Sequence, residues 1–393
     1  MRNPGIERRA LRERVRRSLR DSPVVALVGP RQCGKTTLAR EIAGTRRGTY
    51  FDLEDPVSLQ RLAEPKTALE SLGGLIVIDE VQRRPNLFPL LRVLADAARP
   101  GRRFLILGSA TPDLLRQGSE TLAGRIAIVD MAGFDLGEVG AVALGRLWWR
   151  GGFPRSFLAR SNAASVAWRQ DFIRTFLERD MLQLGVRIPP PALRRLWTMI
   201  AHWHGQIWNA SEIARSLGEA HVTVKRHLDA LSGALMVRQL QPWFENLGKR
   251  QVKAPKVYVR DSGLLHALLD LPSPAALDAH PKVGASWEGY VVEDLIAIAG
   301  ERNAYYWRTQ AGAELDLLLL LRGRRIGVEV KYADAPSMTR SMHVSIESLK
   351  LDRLYVVYPG TQSYRLRPGV EVLPLPLARE RLAAARGRPL PRR

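Results

Sequence analysis

One run of residues, Gly29-Pro30-Arg31-Gln32-Cys33-Gly34-Lys35-Thr36, constrains this chain more than any other stretch. It fills every fixed position of the pattern G-x-x-x-x-G-K-[ST]. An apolar segment, Val24–Val28, precedes it, and a helical pattern over Thr37 to Ile42 follows. Strand, glycine loop and helix in that order let backbone N–H groups converge on an anion at a helix start, where the peptide dipoles add to the attraction. Gly29, Pro30, Arg31, Gln32, Cys33, Gly34, Lys35, Thr36 and Thr37 are therefore the expected phosphate contacts. Lys35 should reach the β- and γ-phosphates of ATP, and the Thr36 hydroxyl should ligate Mg²⁺. Cys33 inside the loop reads as a packing residue.

Four further apolar runs follow, Thr49–Leu53, Leu75–Ile78, Phe104–Leu107 and Ile126–Val129, separated by helical patterns. Short apolar strands alternating with helices predict a parallel sheet covered on both faces, so the fold class is α/β with a P-loop sheet over residues 1–140. The run Leu75-Ile76-Val77-Ile78-Asp79-Glu80 delivers Asp79 to a strand end, where it can order the magnesium shell. Glu80 then lies where it can polarise an attacking water. Ser109, at the end of Phe104–Gly108, is the candidate γ-phosphate sensor, with a solvated hydroxyl as the alternative. Arg125 is the candidate arginine finger, and a surface salt bridge explains it equally well.

The charge balance needs its own explanation. A formal net charge of +21 implies attraction to polyanions, with nucleic acid ahead of an anionic membrane surface. Cys33 is the single cysteine, which excludes an internal disulfide and a Cys-rich zinc site. The Arg-rich start lacks the apolar core of a signal peptide, and runs such as Leu317 to Leu321 are too short to span a bilayer. A cytoplasmic protein with no membrane partner is the expectation.

Residues 141–188 read as a helical lid or connector, with Trp168, Phe172 and Phe176 at helical spacing. Pro189-Pro190-Pro191 suggests a stiff junction. Three helices then follow, Leu193–Ala201, Glu212–Leu217 and His221–Leu231, with Asn209 as a cap and Gly218 as a stop. A strand pair, Val237–Trp243 and Lys256–Val259, completes a winged-helix pattern over 189–260. Lys225 and Arg226 on the third helix, with Lys249, Arg250 and Lys253 around the wing, suit DNA phosphates. Thr223 and His227 would share that helix face. The same module could instead meet a protein partner.

A helix from Ser286 to Ile298 carries Glu288 and Glu293. Asp316 then opens one strand, and Ile326-Gly327-Val328-Glu329-Val330-Lys331 forms the next. Residues two apart on a strand share a face, so Glu329 and Lys331 project together. Asp followed by Glu-x-Lys resembles the core of PD-(D/E)XK nucleases. On that resemblance Glu288, Asp316 and Glu329 would hold Mg²⁺ and Lys331 would activate water. The alternative is an ordinary alternating strand. Residues 261–380 are assigned to this restriction-endonuclease-like α/β domain, and 381–393 to a basic flexible tail.

Together the glycine loop, the Ile78-Asp79-Glu80 strand end, Gly108-Ser109 and Leu122-Ala123-Gly124-Arg125 resemble AAA-type ATPases, in particular those with a C-terminal DUF4143 domain. Leu177-Glu178-Arg179-Asp180, Pro255-Lys256-Val257-Tyr258 with Asp261, and Trp287-Glu288 extend the resemblance over nearly the whole chain. It implies an AAA-like sheet, ATP hydrolysis and adenine as the base. The leading function is an ATPase whose nucleotide state controls DNA engagement. The alternatives are an ATP-regulated metal-dependent nuclease and a non-hydrolysing nucleotide-gated switch. The oligomeric state, and with it an Arg125 acting across a subunit interface, stays open.

Overall fold

In β1 (Val24–Gly29) every residue is buried, because strands flank it on both sides and helices cover both faces. The computed structural model describes residues 6–46, 48–97, 101–109, 120–244 and 252–387. β2 (Thr49–Asp52), β3 (Leu75–Asp79), β4 (Arg103–Ser109) and β5 (Ile126–Asp130) complete a five-stranded sheet in the order β2-β3-β4-β1-β5. All its pairings are parallel, as the apolar runs predict.

Period-two alternation sorts the side chains into two layers. Val24, Ala26, Val28, Ile76, Ile78, Phe104 and Ile106 face one way, against Leu87, Phe88, Leu91 and Leu94 of a helix. Val25, Leu27, Val77, Leu105 and Leu107 face the other, against Leu38, Ala39 and Ile42 behind the glycine loop and Val15 and Leu19 of the N-terminal helix. Each such side chain, fully buried, contributes about 1.5–3 kcal/mol of transfer free energy. The strand order matters for function. β1, which runs straight into the glycine loop, lies between β4 and β5, so β4 ends beside the start of the loop.

Beyond the first sheet the chain packs less modularly than its sequence suggests. One apolar core runs from Leu136 to Leu382, joining connector, middle helices and end sheet. The proline run borders that core without entering it, Pro189 and Pro191 being exposed: Pro190 starts the helix Pro190–His202, where a missing N–H is harmless. Phe176 before the prolines packs on Trp197 after them, with ring centroids 5.4 Å apart. A stiff linker is therefore the wrong description.

The connector helix Asn162–Thr175 carries the stacked rings of Trp168, Phe172 and Phe176, then widens into one π turn, Phe176–Asp180. The helices Ala210–Leu217 and His221–Gly233 follow, with Asn209 capping the first and Gly218 ending it in a left-handed conformation. β6 (Gln206–Ile207), β7 (Val237–Leu240) and β8 (Lys256–Val259) form an antiparallel sheet with β8 in the middle.

The helix Val283–Ala299 packs on a second, six-stranded mixed sheet. Its strands are β9 (Ala304–Arg308), β10 (Glu314–Leu321), β11 (Arg324–Val330), β12 (Arg353–Tyr358), β13 (Tyr364–Arg367) and β14 (Val370–Pro374). The predicted tail is partly ordered: Leu375–Gly387 is a helix, because Ala378 and Leu382 are fully buried in the shared core. Residues 388–393 lie outside the described residues.

Candidate functional site

The glycine loop closes over its own lysine. Gln32 and Gly34 both take positive φ, 62° and 101°, which curls the backbone between β1 and the Lys35–Arg46 helix. Positive φ is costly for a non-glycine residue, so Gln32 marks strain held at a site. A Cβ at Gly29 would collide with the Met131 carbonyl, which accounts for glycine there. Lys35 is buried, and its ammonium donates to the Gly29 and Pro30 carbonyls at 2.9 and 2.8 Å. Cys33 is buried against Met131 and serves packing. Arg8 ties the loop down from outside: it chelates Glu138 and donates to the carbonyls of Cys33, Ala132 and Gly133.

Asp79 ends β3 and meets Thr36 across the crevice. The Thr36 hydroxyl donates to Asp79 Oδ2 at 2.8 Å, and the Tyr50 hydroxyl donates to the same oxygen at 2.5 Å. A hydroxyl and a carboxylate facing each other at the mouth of a phosphate loop are the donor set a magnesium ion takes. The residues present therefore fit Mg²⁺ with a nucleotide. Tyr50 is a member of this site that sequence reasoning missed. Its position opposite Val77 in the β2–β3 register puts it two residue pairs before Asp52 and Asp79, on the same face of the strand as Asp52.

Glu80 follows in a left-handed conformation, φ 56°, and accepts a hydrogen bond from Gln82. Burial pushes its carboxyl above the ordinary glutamate range, against the pull of Arg31 and Lys35. A carboxylate raised in this way is a better proton acceptor for water. Arg31 makes the site's longest-range contact: it pairs with Asp180 at 2.6 Å and with Glu54 at 3.1 Å. Burial opposes the Arg31 cation, but Asp180, Glu80 and Glu54 hold it up. Asp180 closes the Leu177-Glu178-Arg179-Asp180 stretch, and that stretch was the only sequence signal for it.

Ser109 stands opposite Gly29 in the β1–β4 register, beside the start of the loop, although its side chain lies outside the described residues. Arg125 is placed differently. Val24 N donates to the Arg125 carbonyl, so Arg125 sits at the amino end of β1, while the loop begins at the carboxyl end. A strand of that length spans about 17–20 Å, which removes a finger role within one chain. Its guanidinium instead pairs with Asp96 on the surface.

The nuclease-like residues do converge, but around an amine. β10 and β11 pair with Leu317 opposite Val328, which sets Asp316 opposite Glu329. Lys331 donates to Glu329 at 2.7 Å, and Asp316 accepts from Val330 N at 2.9 Å. The ammonium of Lys256, on β8 and 2 % exposed, lies 3.0 Å from Glu288, 2.5 Å from Glu314 and 3.4 Å from Asp316. Tyr258 donates to Glu288 at 2.7 Å. Burial raises the Glu288 and Glu329 carboxyls, and it opposes the Lys256 cation, which Glu288, Asp316 and Glu314 nonetheless hold well above the usual lysine value. Among the described residues no cluster of three or more His, Cys, Asp or Glu has metal-holding geometry. The expected Glu288–Asp316–Glu329 magnesium set thus does not fit, because Lys256 stands between Glu288 and Asp316 and Lys331 pairs with Glu329.

On the middle helices Lys225 and Arg226 are exposed, with Lys225 paired to Asp229 at 3.1 Å. His227 is buried and belongs to the core, because it falls on the helix face that also buries Val224 and Leu228. Lys253 is exposed, and Lys249 and Arg250 lie outside the described residues. Among the described residues no helix is long and apolar enough to cross a membrane.

A parallel α/β sheet with a glycine loop, a strand-end Asp-Glu pair and a buried loop lysine defines a P-loop nucleotide-binding protein. Family comparisons agree: a model described as an AAA domain matches residues 21–140, and the DUF4143 domain of unknown function matches 283–378. A further domain of unknown function, DUF8612, matches 142–275. The chain belongs to the family of AAA-type ATPases that carry a C-terminal DUF4143 domain.

Two curated relatives, the uncharacterized proteins Mb2031c of Mycobacterium bovis and Rv2008c of Mycobacterium tuberculosis, are each 54% identical over 94% of this chain and 84% of their own. Among solved structures, the Walker-type ATPase PABY2304 of Pyrococcus abyssi is 16% identical with a TM-score of 0.45, over 68% of this chain and 99% of that one. The Thermotoga maritima RuvB Holliday junction branch migration motor is 19% identical with a TM-score of 0.30, over 60% and 90%. At these scores neither likeness defines the fold.

Proposed function

We propose that the chain is a magnesium-dependent ATPase whose nucleotide state is passed to the connector and governs engagement of DNA by the middle helices. The observation that carries the ATPase reading is the Thr36–Asp79 contact at 2.8 Å beside the buried Lys35. Backbone N–H groups of the loop would hold the phosphates, Lys35 would leave its two carbonyls for the γ-phosphate, and Glu80 would take the proton of the attacking water. Thr36 and Asp79 would hold the metal, which would supply charge neutralisation on the phosphate oxygens.

Coupling to DNA is supported by the net charge of +21 and by the exposed Lys225 and Arg226 on a helix whose other face is buried. Three helices with the small β6-β8-β7 sheet support the winged-helix reading. Arg31 links the loop to the connector that leads into it. Anisotropy of a labelled duplex, titrated with and without Mg-ATP, tests the coupling. Affinity that changes with nucleotide, with a salt slope lowered by about one unit for each of Lys225→Ala and Arg226→Ala, supports it. Identical isotherms in both conditions would remove DNA from the account.

A further inference from the structure

The end domain has the carboxylates of a metal-dependent nuclease and a lysine standing in their midst. We propose that the Lys256 ammonium is the resident cation of this pocket, keeping the end domain free of metal and fastening strand β8 to it.

Three observations carry this. First, three carboxylates from two elements, Glu288 of the Val283–Ala299 helix and Glu314 and Asp316 of β10, all face one ammonium within 3.4 Å. Left without a cation, these carboxylates would repel one another in a buried site. Second, Lys256 comes from a different sheet, so its placement is a cross-module contact and not a local accident of strand alternation. Third, Glu329 on the adjoining strand is 5 % exposed and keeps one oxygen, Oε2, without a hydrogen-bond partner. The pocket therefore retains unused acceptor capacity that a single ammonium does not satisfy.

The arrangement excludes a metal for physical reasons. Magnesium gives up its water reluctantly, and here it would have to displace a covalently tethered competitor. The displaced ammonium would be left beside the Tyr306 ring with no counter-charge, a heavy desolvation penalty. Backbone bonds hold the tether in register: Trp243 N donates to the Tyr306 carbonyl at 2.7 Å, and Tyr306 N donates to the Gln241 carbonyl at 3.0 Å. These join the segment after β7 to β9, and β7 is itself paired with β8. This stands independently of the ATPase reading.

The test is Mn²⁺ uptake by the full chain without nucleotide, followed by electron paramagnetic resonance. Wild type should show no Mn²⁺ that Asp316→Ala abolishes. Lys256→Met should take up one ion per chain, at least about tenfold more tightly than wild type, and lose it when Asp316→Ala is added. Should charge repulsion keep Lys256→Met from folding, Lys256→Met/Glu314→Gln removes one excess charge and carries the same expectation. Asp316-dependent Mn²⁺ in wild type would overturn the proposal, because the metal would then be the resident. A folded Lys256→Met or double variant that takes up no ion would overturn it equally, because the pocket would then be only a buried ion-pair cluster.

Discussion

Arg31 of the phosphate loop and Asp180 of the connector, 149 residues apart in the chain, meet at 2.6 Å. Asp180 is 1 % exposed, and one of its oxygens, Oδ2, has no hydrogen-bond partner. The loop that binds phosphate is thus in direct electrostatic contact with the helix that leads into the rest of the protein. Incoming phosphate would compete with Asp180 for the same guanidinium.

Removing Arg31 leaves a buried carboxylate with Arg179, at 3.2 Å, as its remaining partner. Arg31→Ala should destabilise the chain by roughly 3 kcal/mol, the usual penalty for stranding one half of a buried pair. Urea unfolding of the two proteins checks this. A loss below about 1 kcal/mol would mean that the contact is solvent-screened and couples nothing.

Tyr50 acts on the site through its hydroxyl, which donates to Asp79. Tyr50→Phe removes that donor while leaving Asp79 itself. Partners of a metal-ligating carboxylate typically alter metal affinity by about 10–100-fold. The Mg²⁺ concentration giving half-maximal hydrolysis should therefore rise by about that factor, with little change in ATP binding measured without metal. An unchanged Mg²⁺ requirement would place Tyr50 outside the site.

Acid should act through His266. Its Nδ1–H donates to the Trp149 carbonyl at 3.0 Å, so Nε2 must accept from the Ser286 hydroxyl at 2.7 Å, and Ser286 in turn accepts from Trp148. Burial lowers its pKa to about 3. The unfolded chain takes a proton at His266 below pH 6.5 and the folded chain does not, so stability falls as pH drops from 6.5 towards 3. Each pH unit in that window should cost wild type about 1.4 kcal/mol relative to His266→Gln. Urea midpoints of both proteins at pH 7 and 5 read the difference, and parallel pH profiles would refute the neutral, buried assignment.

The parts legible in the sequence are those set by near neighbours. β1, the glycine loop and the helix behind it are contiguous, and the apolar run into Asp79 announces a buried strand with a functional end. Asn209 and Gly218 mark helix ends by local hydrogen bonding and a left-handed backbone, which any sequence shows. The partners that complete each site were hidden because they arrive from far along the chain. Lys256 looked like the first residue of a returning strand, yet its ammonium lies among residues 288 to 316. Asp180 was one of three charges in Leu177-Glu178-Arg179-Asp180, with nothing nearby to name its partner. Arg125 had two readings that its neighbours in sequence could not separate: register sets it at the amino end of β1, where it forms the surface salt bridge with Asp96. The proline run was read as a linker because fixed φ suits a linker and a helix start equally.

The central claim is that Glu80 serves as the base in a magnesium-dependent ATPase built on Lys35, Thr36 and Asp79. ATP hydrolysis by the purified chain, with and without Mg²⁺ and beside Glu80→Gln and Lys35→Ala, tests it directly. The account predicts turnover that requires Mg²⁺, that falls about 10²–10⁴-fold in Glu80→Gln while ATP still binds, and that disappears together with tight binding in Lys35→Ala. Wild-type hydrolysis no faster than that of Glu80→Gln, with ATP bound tightly by both, would contradict it and leave a nucleotide-gated switch.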